Sequence, residues 1–322
     1  MSQRLWIILG VCAVAVAIAS LLLPTPGLAR LLQTDPGLLS TIMFEVRLPR
    51  VLLALLYGAM LGGSGTAIQA LFANPLASPD ITGTTGGAAL GSVVTAYLIG
   101  FSGPFGVALG GVAGAALALA LLLGLAGRHS DSATLLLAGI AISALAGAAT
   151  ALALALAPSP FAFYEAYDWL MGSLVDRSLV QAAMVALPVL AALGFLVTRA
   201  HALDMLALGE AAAEAMGYRV TLLRRQIVIA TAIGIGMAVA VCGAVGFIGL
   251  VAPIFARRLT RAHPGRAILP AAVIGAILLC LADVIVRFAP AGRQLPIGVV
   301  TALLGAPFFL ALVLRMRVEW RG

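Results

Sequence analysis

Apolar runs of about 20 residues follow one another along almost the whole chain, and no other feature limits the fold as strongly. A helix that crosses the hydrocarbon core of a bilayer needs about 20 consecutive, mostly apolar residues. We therefore predict an all-α membrane protein with about ten transmembrane helices, which form a single transmembrane domain over residues 1–322. The predicted spans are 4–23, 48–72, 81–99, 104–127, 132–157, 179–199, 222–245, 247–262, 266–289 and 297–315.

The balance of residue types excludes several classes of protein. Apolar residues make up 62% and charged residues 10% of the chain, whereas a soluble domain averages about 45–50% and about 25%. So few charges cannot cover a core of this size in water, which rules out a soluble enzyme, a disordered chain and a secreted disulfide scaffold. Each of the three cysteines lies alone within an apolar run and is predicted to be a small buried side chain. The three histidines fit no metal-binding spacing, so we expect this chain to bind no metal and no cofactor.

The arginines indicate how the spans are oriented. All 19 basic residues are Arg, and basic residues concentrate in cytoplasmic loops. Placing the N-terminus inside puts thirteen of them at cytoplasmic ends and six at outer ends. We therefore predict a multi-pass protein of a bacterial inner membrane, surrounded by lipid, with both termini in the cytoplasm. Because the arginines lie between apolar runs, they indicate orientation in a membrane and no nucleic-acid partner.

The polar residues limit the possible energy source. A P-loop requires a Lys and the chain has none, so it cannot hydrolyse ATP by that motif. No cluster of carboxylates within the spans suggests a path for a coupling ion, which argues against an ion-coupled secondary transporter. Asp283 and Arg287 are four residues apart, share one helix face and can form an ion pair. Gln69 and Asn74 are expected to cap a broken helix.

Small residues at intervals of four predict close helix packing. Three such stripes are Gly58 and Gly62, then Gly106, Gly110 and Gly114, then Gly139, Ser143 and Gly147. The stretches 63–90 and 243–277 also resemble each other, since each has a small-residue helix, a break containing Pro and a second small-residue helix. Their predicted directions are opposite, which indicates an inverted repeat of the kind found in transporters and disfavours a scaffold or receptor without transport.

The cytoplasmic segment 200–221 predicts two short helices separated by Gly209, Leu203 to Leu208 and Glu210 to Met216. Gly217 is placed as the stop of the second helix. The pattern fits either an anchor at the membrane interface or a docking element for a partner.

Several motifs, taken in order, resemble the permeases that import iron chelates and vitamin B12. They are R-L-P-R (47–50), G-A-M-L-G-G-S-G-T-A-I-Q-A-L-F-A-N-P-L-A-S-P-D (58–80), L-L-L-A-G (135–139), W-L-M-G-S-L (169–174), L-A-L-G-E (206–210), G-F-I-G-L-V-A-P (246–253), L-A-D-V-I-V-R (281–287) and L-P-I-G-V-V-T-A-L-L-G-A-P-F-F (295–309). The resemblance implies the permease subunit of an ABC importer that works by alternating access. It also implies a ferric siderophore as the cargo, with haem or cobalamin as the alternative.

The same resemblance implies partners and sites. The partners are a second permease protomer, identical or paralogous, two ATPase subunits that bind ATP and Mg, and a periplasmic or lipid-anchored substrate-binding protein. Arg47, Arg50 and Arg287 match positions that dock the binding protein. The ATPase-coupling residues are Leu203, Leu206, Gly209, Glu210, Met216 and Gly217, and we expect Leu206 and Met216 to meet the ATPase with apolar side chains. The inner gate matches Asp131, Ser132, Ala133 and Thr134.

Overall fold

The computed structural model describes residues 3–24, 31–101, 103–126, 132–157, 159–289 and 295–319. All regular elements in these ranges are helical, as predicted for an all-α membrane protein. The helices are α1 (Gln3–Leu22), α2 (Pro36–Leu71), α3 (Thr84–Val93), α4 (Pro104–Ala126), α5 (Ser132–Ala155), α6 (Pro160–Leu170), α7 (Leu179–Thr198), α8 (Ala200–Leu206), α9 (Glu210–Ala215), α10 (Val220–Cys242), α11 (Ile248–Leu259), α12 (Pro264–Arg287) and α13 (Ile297–Glu319).

Helices occupy all ten predicted spans, although they differ in length. Seven helices in the described ranges, α1, α2, α4, α5, α7, α10 and α12, are long and apolar enough to cross a membrane. The other three positions hold α3, which has 10 residues and continues as a π-helical turn to Leu98, α11, which has 12 residues, and α13, which has 23 residues. The number of crossings therefore stays a prediction.

Helix α2 begins at Pro36, well before the predicted span start at 48. The Asp35 carboxylate caps it by accepting the Leu38 N–H at 2.9 Å. A π-helical turn over Ile42–Arg47 precedes Pro49 and gives a wider turn before this residue, which has no N–H to donate. The 36 residues extend about 54 Å, more than the roughly 30 Å of a hydrocarbon core. The R-L-P-R motif is thus in mid-helix.

All three small-residue stripes contribute to helix contacts, and the first two bring backbones closest together. A Cβ at Gly58 would meet the Gly275 carbonyl, so α2 and α12 approach backbone to backbone. Gly110 and Gly114 of α4 make equally close contacts with α3. In the third stripe, Gly147 faces open space, while the Ser143 hydroxyl donates to the Asp80 carbonyl at 3.0 Å.

The polar side chains near the break after α2 bond to groups other than the helix ends, so the capping role expected for Gln69 and Asn74 is not confirmed. Gln69 donates to the Leu250 carbonyl at 3.4 Å, and Asn74 accepts the Leu76 N–H at 2.8 Å. Gly65 lies against the backbone of Gly249, so the two similar stretches are in contact. Their inverted relation stays a prediction.

One cysteine departs from the expected burial. Cys242 and Cys280 are buried, but Cys12 is exposed. The reason is that α1 packs through a narrow face, on which Leu9 and Ser20 are its buried residues. An apolar run cannot distinguish a lipid-facing position from a protein-facing one, and the burial predicted for Cys12 is therefore wrong.

Candidate functional site

The three predicted docking arginines converge on one buried carboxylate and the end of α1. Asp283, on α12, is fully buried. Arg50 donates through Nε to Asp283 Oδ1 at 2.6 Å, and Arg287 donates through Nη2 and Nε to Oδ2 at 2.6 and 3.0 Å. The expected pairing of Asp283 with Arg287 is therefore confirmed, and Arg50 is a second partner. We call Asp283, Arg50, Arg287, Arg47 and Ser20 the outer cluster, after the outer position predicted for its arginines.

The end of α1 completes the outer cluster. Arg287 donates to the backbone carbonyl of Ser20 and, at 3.2 Å, to its hydroxyl. Arg47 donates through Nη1 to the carbonyls of Leu21 and Leu23 at 2.6 and 3.1 Å. These carbonyls belong to the last turn of α1 and to the residue that follows it, where carbonyls lack intrahelical donors and a cation is favourable. The arginines thus join α1, α2 and α12.

The burial of the three arginines limits which of them another protein can contact. The side chains of Arg50 and Arg287 are only 14% and 7% exposed, and Asp283 is 1% exposed. Arg47 differs from the other two arginines, because it makes no ion pair in the described part of the chain. Its guanidinium group donates to backbone carbonyls instead. Sequence reasoning missed the Arg50–Asp283 contact and the role of Ser20. The partners lie on helices far apart in the chain, and no local spacing signals such a contact.

At the opposite end of α12, segment 200–221 forms two short helices as predicted, α8 and α9, with Gly209 between them at φ 105°. Gly217, at φ 90°, donates to the Glu214 carbonyl at 2.9 Å, and Tyr218 donates to the Ala213 carbonyl at 3.1 Å. This pair of bonds is a Schellman motif. The predicted stop at Gly217 is confirmed.

The outward position expected for Leu206 is wrong. Leu203 and Leu206 are 0% and 7% exposed and belong to the main core, because α8 lays its apolar face on α12 and α2. The exposed apolar side chains of the segment are Leu208 at 66% and Met216 at 47%. Leu208 and Met216 are therefore the large apolar side chains of this segment that are accessible, while Leu203 and Leu206 hold the segment in place.

Two polar contacts fasten segment 200–221 to the bundle. The Asp204 carboxylate accepts the Gly265 N–H at 2.8 Å, at the start of α12, where an anion is favourable. Glu210 pairs with Arg224 of α10 at 2.6 Å. Helix α12 thus begins on segment 200–221 and ends in the outer cluster, about 36 Å away for its 24 residues. We call segment 200–221 the coupling segment, after the role that the family resemblance implies for it. Asp204 and Arg224 were not expected from the sequence.

The predicted inner gate is described only in part. Asp131 lies outside the described residues, and α5 begins at Ser132, followed by Ala133 and Thr134. The side chain of Thr134 is exposed in this chain. The gate role of these residues stays a prediction.

The model of the FecCD transport family matches residues 5–315, which is nearly the whole chain. The chain belongs to the FecCD transport family. It is accordingly an ABC importer permease of the multi-pass inner-membrane type, and neither an ion-coupled secondary transporter nor a scaffold.

Relatives of this FecCD chain include proteins named for vitamin B12 import. The vitamin B12 import system permease protein BtuC of Salmonella typhi is 42% identical over 278 residues, which cover 85% of this chain and 83% of the relative. The BtuC protein of Salmonella paratyphi A is 41% identical over the same length and with the same coverage.

Solved structures show the same fold. A metal-chelate type ABC transporter in an inward-facing conformation superimposes with a TM-score of 0.87 at 29% identity, covering 98% of this chain and 100% of that one. PsaBC from Streptococcus pneumoniae, solved in complex with Fab, matches with a TM-score of 0.52 at 16% identity, covering 88% and 94%, and supports the fold alone.

Proposed function

We propose that this FecCD-family chain is the translocating subunit of an importer for cobalamin or a closely related corrinoid. The observation that carries the proposal is the 42% identity over 85% of the chain to a permease named for vitamin B12 import. A ferric siderophore, the cargo inferred from the sequence motifs, is the second candidate. The 0.87 TM-score to a metal-chelate type transporter favours that broader class.

Uptake measurements separate the two cargoes. A strain that lacks this gene would be tested with radiolabelled cyanocobalamin and, separately, with ⁵⁵Fe-loaded hydroxamate siderophore. The proposal expects loss of ATP-dependent cobalamin uptake and its return when the gene is restored, with siderophore uptake unchanged. Loss of siderophore uptake alone would overturn the cobalamin assignment and support the second candidate.

The proposed assembly contains two permease protomers, identical or paralogous, with two ATPase subunits on the cytoplasmic side and a substrate-binding protein outside. ATP and Mg bind to the ATPase subunits. Both termini of this chain are cytoplasmic, which places α8 and α9 on the ATPase side and the outer cluster on the opposite side. ATP binding and hydrolysis then shift the population between outward and inward states, because the ATPase prefers one arrangement of the permeases.

Helix α12 gives this mechanism a physical link between the two faces. Its N-terminus is bonded to Asp204 of the coupling segment, and its C-terminal turn holds Arg287 and Asp283 of the outer cluster. Its backbone also touches α2 through Gly58 and Gly275, so the two helices are too close to slide independently. A displacement of the coupling segment therefore reaches the outer face through a rigid pair of helices.

Docking of the binding protein is proposed to use Arg47 directly, with Arg50 and Arg287 adding positive potential from their buried positions. Exposed ion pairs contribute only about 0–1 kcal/mol each, so their main effect is on orientation and encounter rate. Arg50 and Arg287 are unsuitable for charge reversal, because such a change would place two carboxylates side by side at Asp283.

The docking test therefore uses Arg47. Arg47→Gln removes the charge and should lower the association rate of the binding protein severalfold at low salt, with the effect fading as ionic strength rises. Arg47→Lys keeps the charge and should retain most of that rate. Glu45→Gln, which removes an exposed carboxylate from the same π-helical turn, is the matched control and should leave or raise the rate. Equal rates for all three variants would contradict docking through Arg47.

A further inference from the structure

A basic cavity lies at the end of the bundle opposite the outer cluster, between α1 and the turn that joins α11 to α12. Its volume is about 670 Å³. Trp6 of α1 forms one wall, and Thr260, Arg261, His263 and Arg266 form the other. We call this space the α1 pocket. It is separate from the coupling segment and the outer cluster.

The charge of the α1 pocket is positive and unneutralised in the described part of the chain. Arg261, His263 and Arg266 are exposed, and none of the described lining residues is acidic. Neither arginine forms an ion pair there, in contrast to Arg50, Arg224 and Arg287. The nearby carboxylate of Asp204 already accepts the Gly265 N–H. The pocket therefore favours an anion.

The wall contributed by α1 is apolar, because Leu5 and Trp6 form it, and the α1 surface next to the pocket faces away from the protein. Ile7 and Val11 are 63% and 62% exposed, and Trp6 is 39% exposed. On a helix that is long and apolar enough to span a membrane, such a surface lies against acyl chains, and Trp is typical of the interface between acyl chains and headgroups. A soluble phosphate or an acidic protein surface would gain nothing from this wall. An amphipathic anion would contact both walls.

We propose that the α1 pocket binds an anionic phospholipid, with the phosphate at Arg261 and Arg266 and an acyl chain along α1. Basic pockets between transmembrane helices are suited to anionic headgroups. The bound lipid would bridge α1 to the α11–α12 turn, next to the N-terminus of α12. The inference is independent of the cargo and requires only that this end of the bundle meets a leaflet that contains anionic lipid.

Native mass spectrometry of the purified full-length chain in detergent tests the proposal, with phosphatidylglycerol and phosphatidylcholine as probes. The unmodified protein should bind phosphatidylglycerol more tightly, and added salt should reduce the difference. Arg261→Gln and Arg266→Gln should each weaken phosphatidylglycerol binding about fivefold, since one basic residue near an anionic lipid contributes about 1 kcal/mol. Arg266→Lys keeps the charge and should bind phosphatidylglycerol almost as tightly as the unmodified protein. Such binding would also show that a substitution at this position leaves the site folded.

Arg225→Gln is the matched control. Arg225 is also an exposed arginine near the N-terminal end of its helix, α10, but it does not line the α1 pocket. The proposal expects its lipid preference to equal that of the unmodified protein. It is overturned if Arg225→Gln weakens binding as much as the pocket variants, or if glycerophosphate competes as well as phosphatidylglycerol. It is also overturned if the pocket variants lose affinity for the ATPase while their lipid preference is unchanged.

Discussion

Neutralising Asp283 should destabilise the protein more than any other single change of charge in the outer cluster. In Asp283→Asn, the Arg50 and Arg287 guanidinium groups, 14% and 7% exposed, lose the carboxylate that they share at 2.6 Å. Removing one partner of a buried ion pair costs roughly 3–5 kcal/mol. At about 2–4 °C per kcal/mol for a large domain, the apparent melting temperature should fall by at least about 6 °C.

The assay is the loss of monodisperse protein on heating in detergent, followed by fluorescence-detected size exclusion. Asp35→Asn is the matched control, because Asn caps a helix as well as Asp does and Asp35 is exposed. The double variant Arg50→Gln with Asp283→Asn restores the net charge of the Arg50, Arg287 and Asp283 group, and it should regain part of the loss. Equal apparent melting temperatures for Asp283→Asn and Asp35→Asn would refute the reasoning. Arg50 and Arg287 would then not be held by Asp283 and could contact the binding protein directly.

The remaining predictions concern packing and the coupling segment. Gly58→Ala places a methyl group against the Gly275 carbonyl and should cost about 1–3 kcal/mol in thermal-stability assays, whereas Gly194→Ala, which meets nothing within 4 Å, should be neutral or slightly stabilising. Leu208→Asp should reduce co-purification of the ATPase while preserving yield, and a normal ATPase ratio would exclude a contact at Leu208. Gly217→Ala places a residue with a Cβ at a backbone φ of 90° and should lower the stability of the second short helix by roughly 1–2 kcal/mol. Amide hydrogen exchange over 210–218 should become faster, and unchanged exchange would refute the Schellman cap.

The sequence pattern predicted those features whose physical cause lies within a single segment of the chain. Runs of apolar residues predicted the helix positions because each spanning helix satisfies its own backbone hydrogen bonds and needs lipid-compatible side chains over its own length. The stop at Gly217 followed from the same local logic, since only the glycine's φ decides it. The pairing of Asp283 with Arg287 was predictable because four residues separate them on one helix.

The side on which a residue packs was decided only by tertiary structure. In a chain this apolar, Leu206 and Leu208 look alike, yet α8 turns Leu206 into the core and leaves Leu208 exposed. Likewise, Cys12 and Cys280 lie in similar runs, but one faces outward and the other is buried. Hydrophobicity does not distinguish protein from lipid as a neighbour, because both are apolar solvents for a side chain.

The candidate sites divide in the same way. The sequence by itself determined that Arg47, Arg50 and Arg287 belong to the same end of the bundle, because charged residues are confined to the ends of apolar spans. Only the fold brought Arg50 to Asp283, 233 positions along the chain, and Arg47 to the last carbonyls of α1. Such contacts form because buried charges and unpaired carbonyls must find partners, and which partners are within reach depends on how the helices cross.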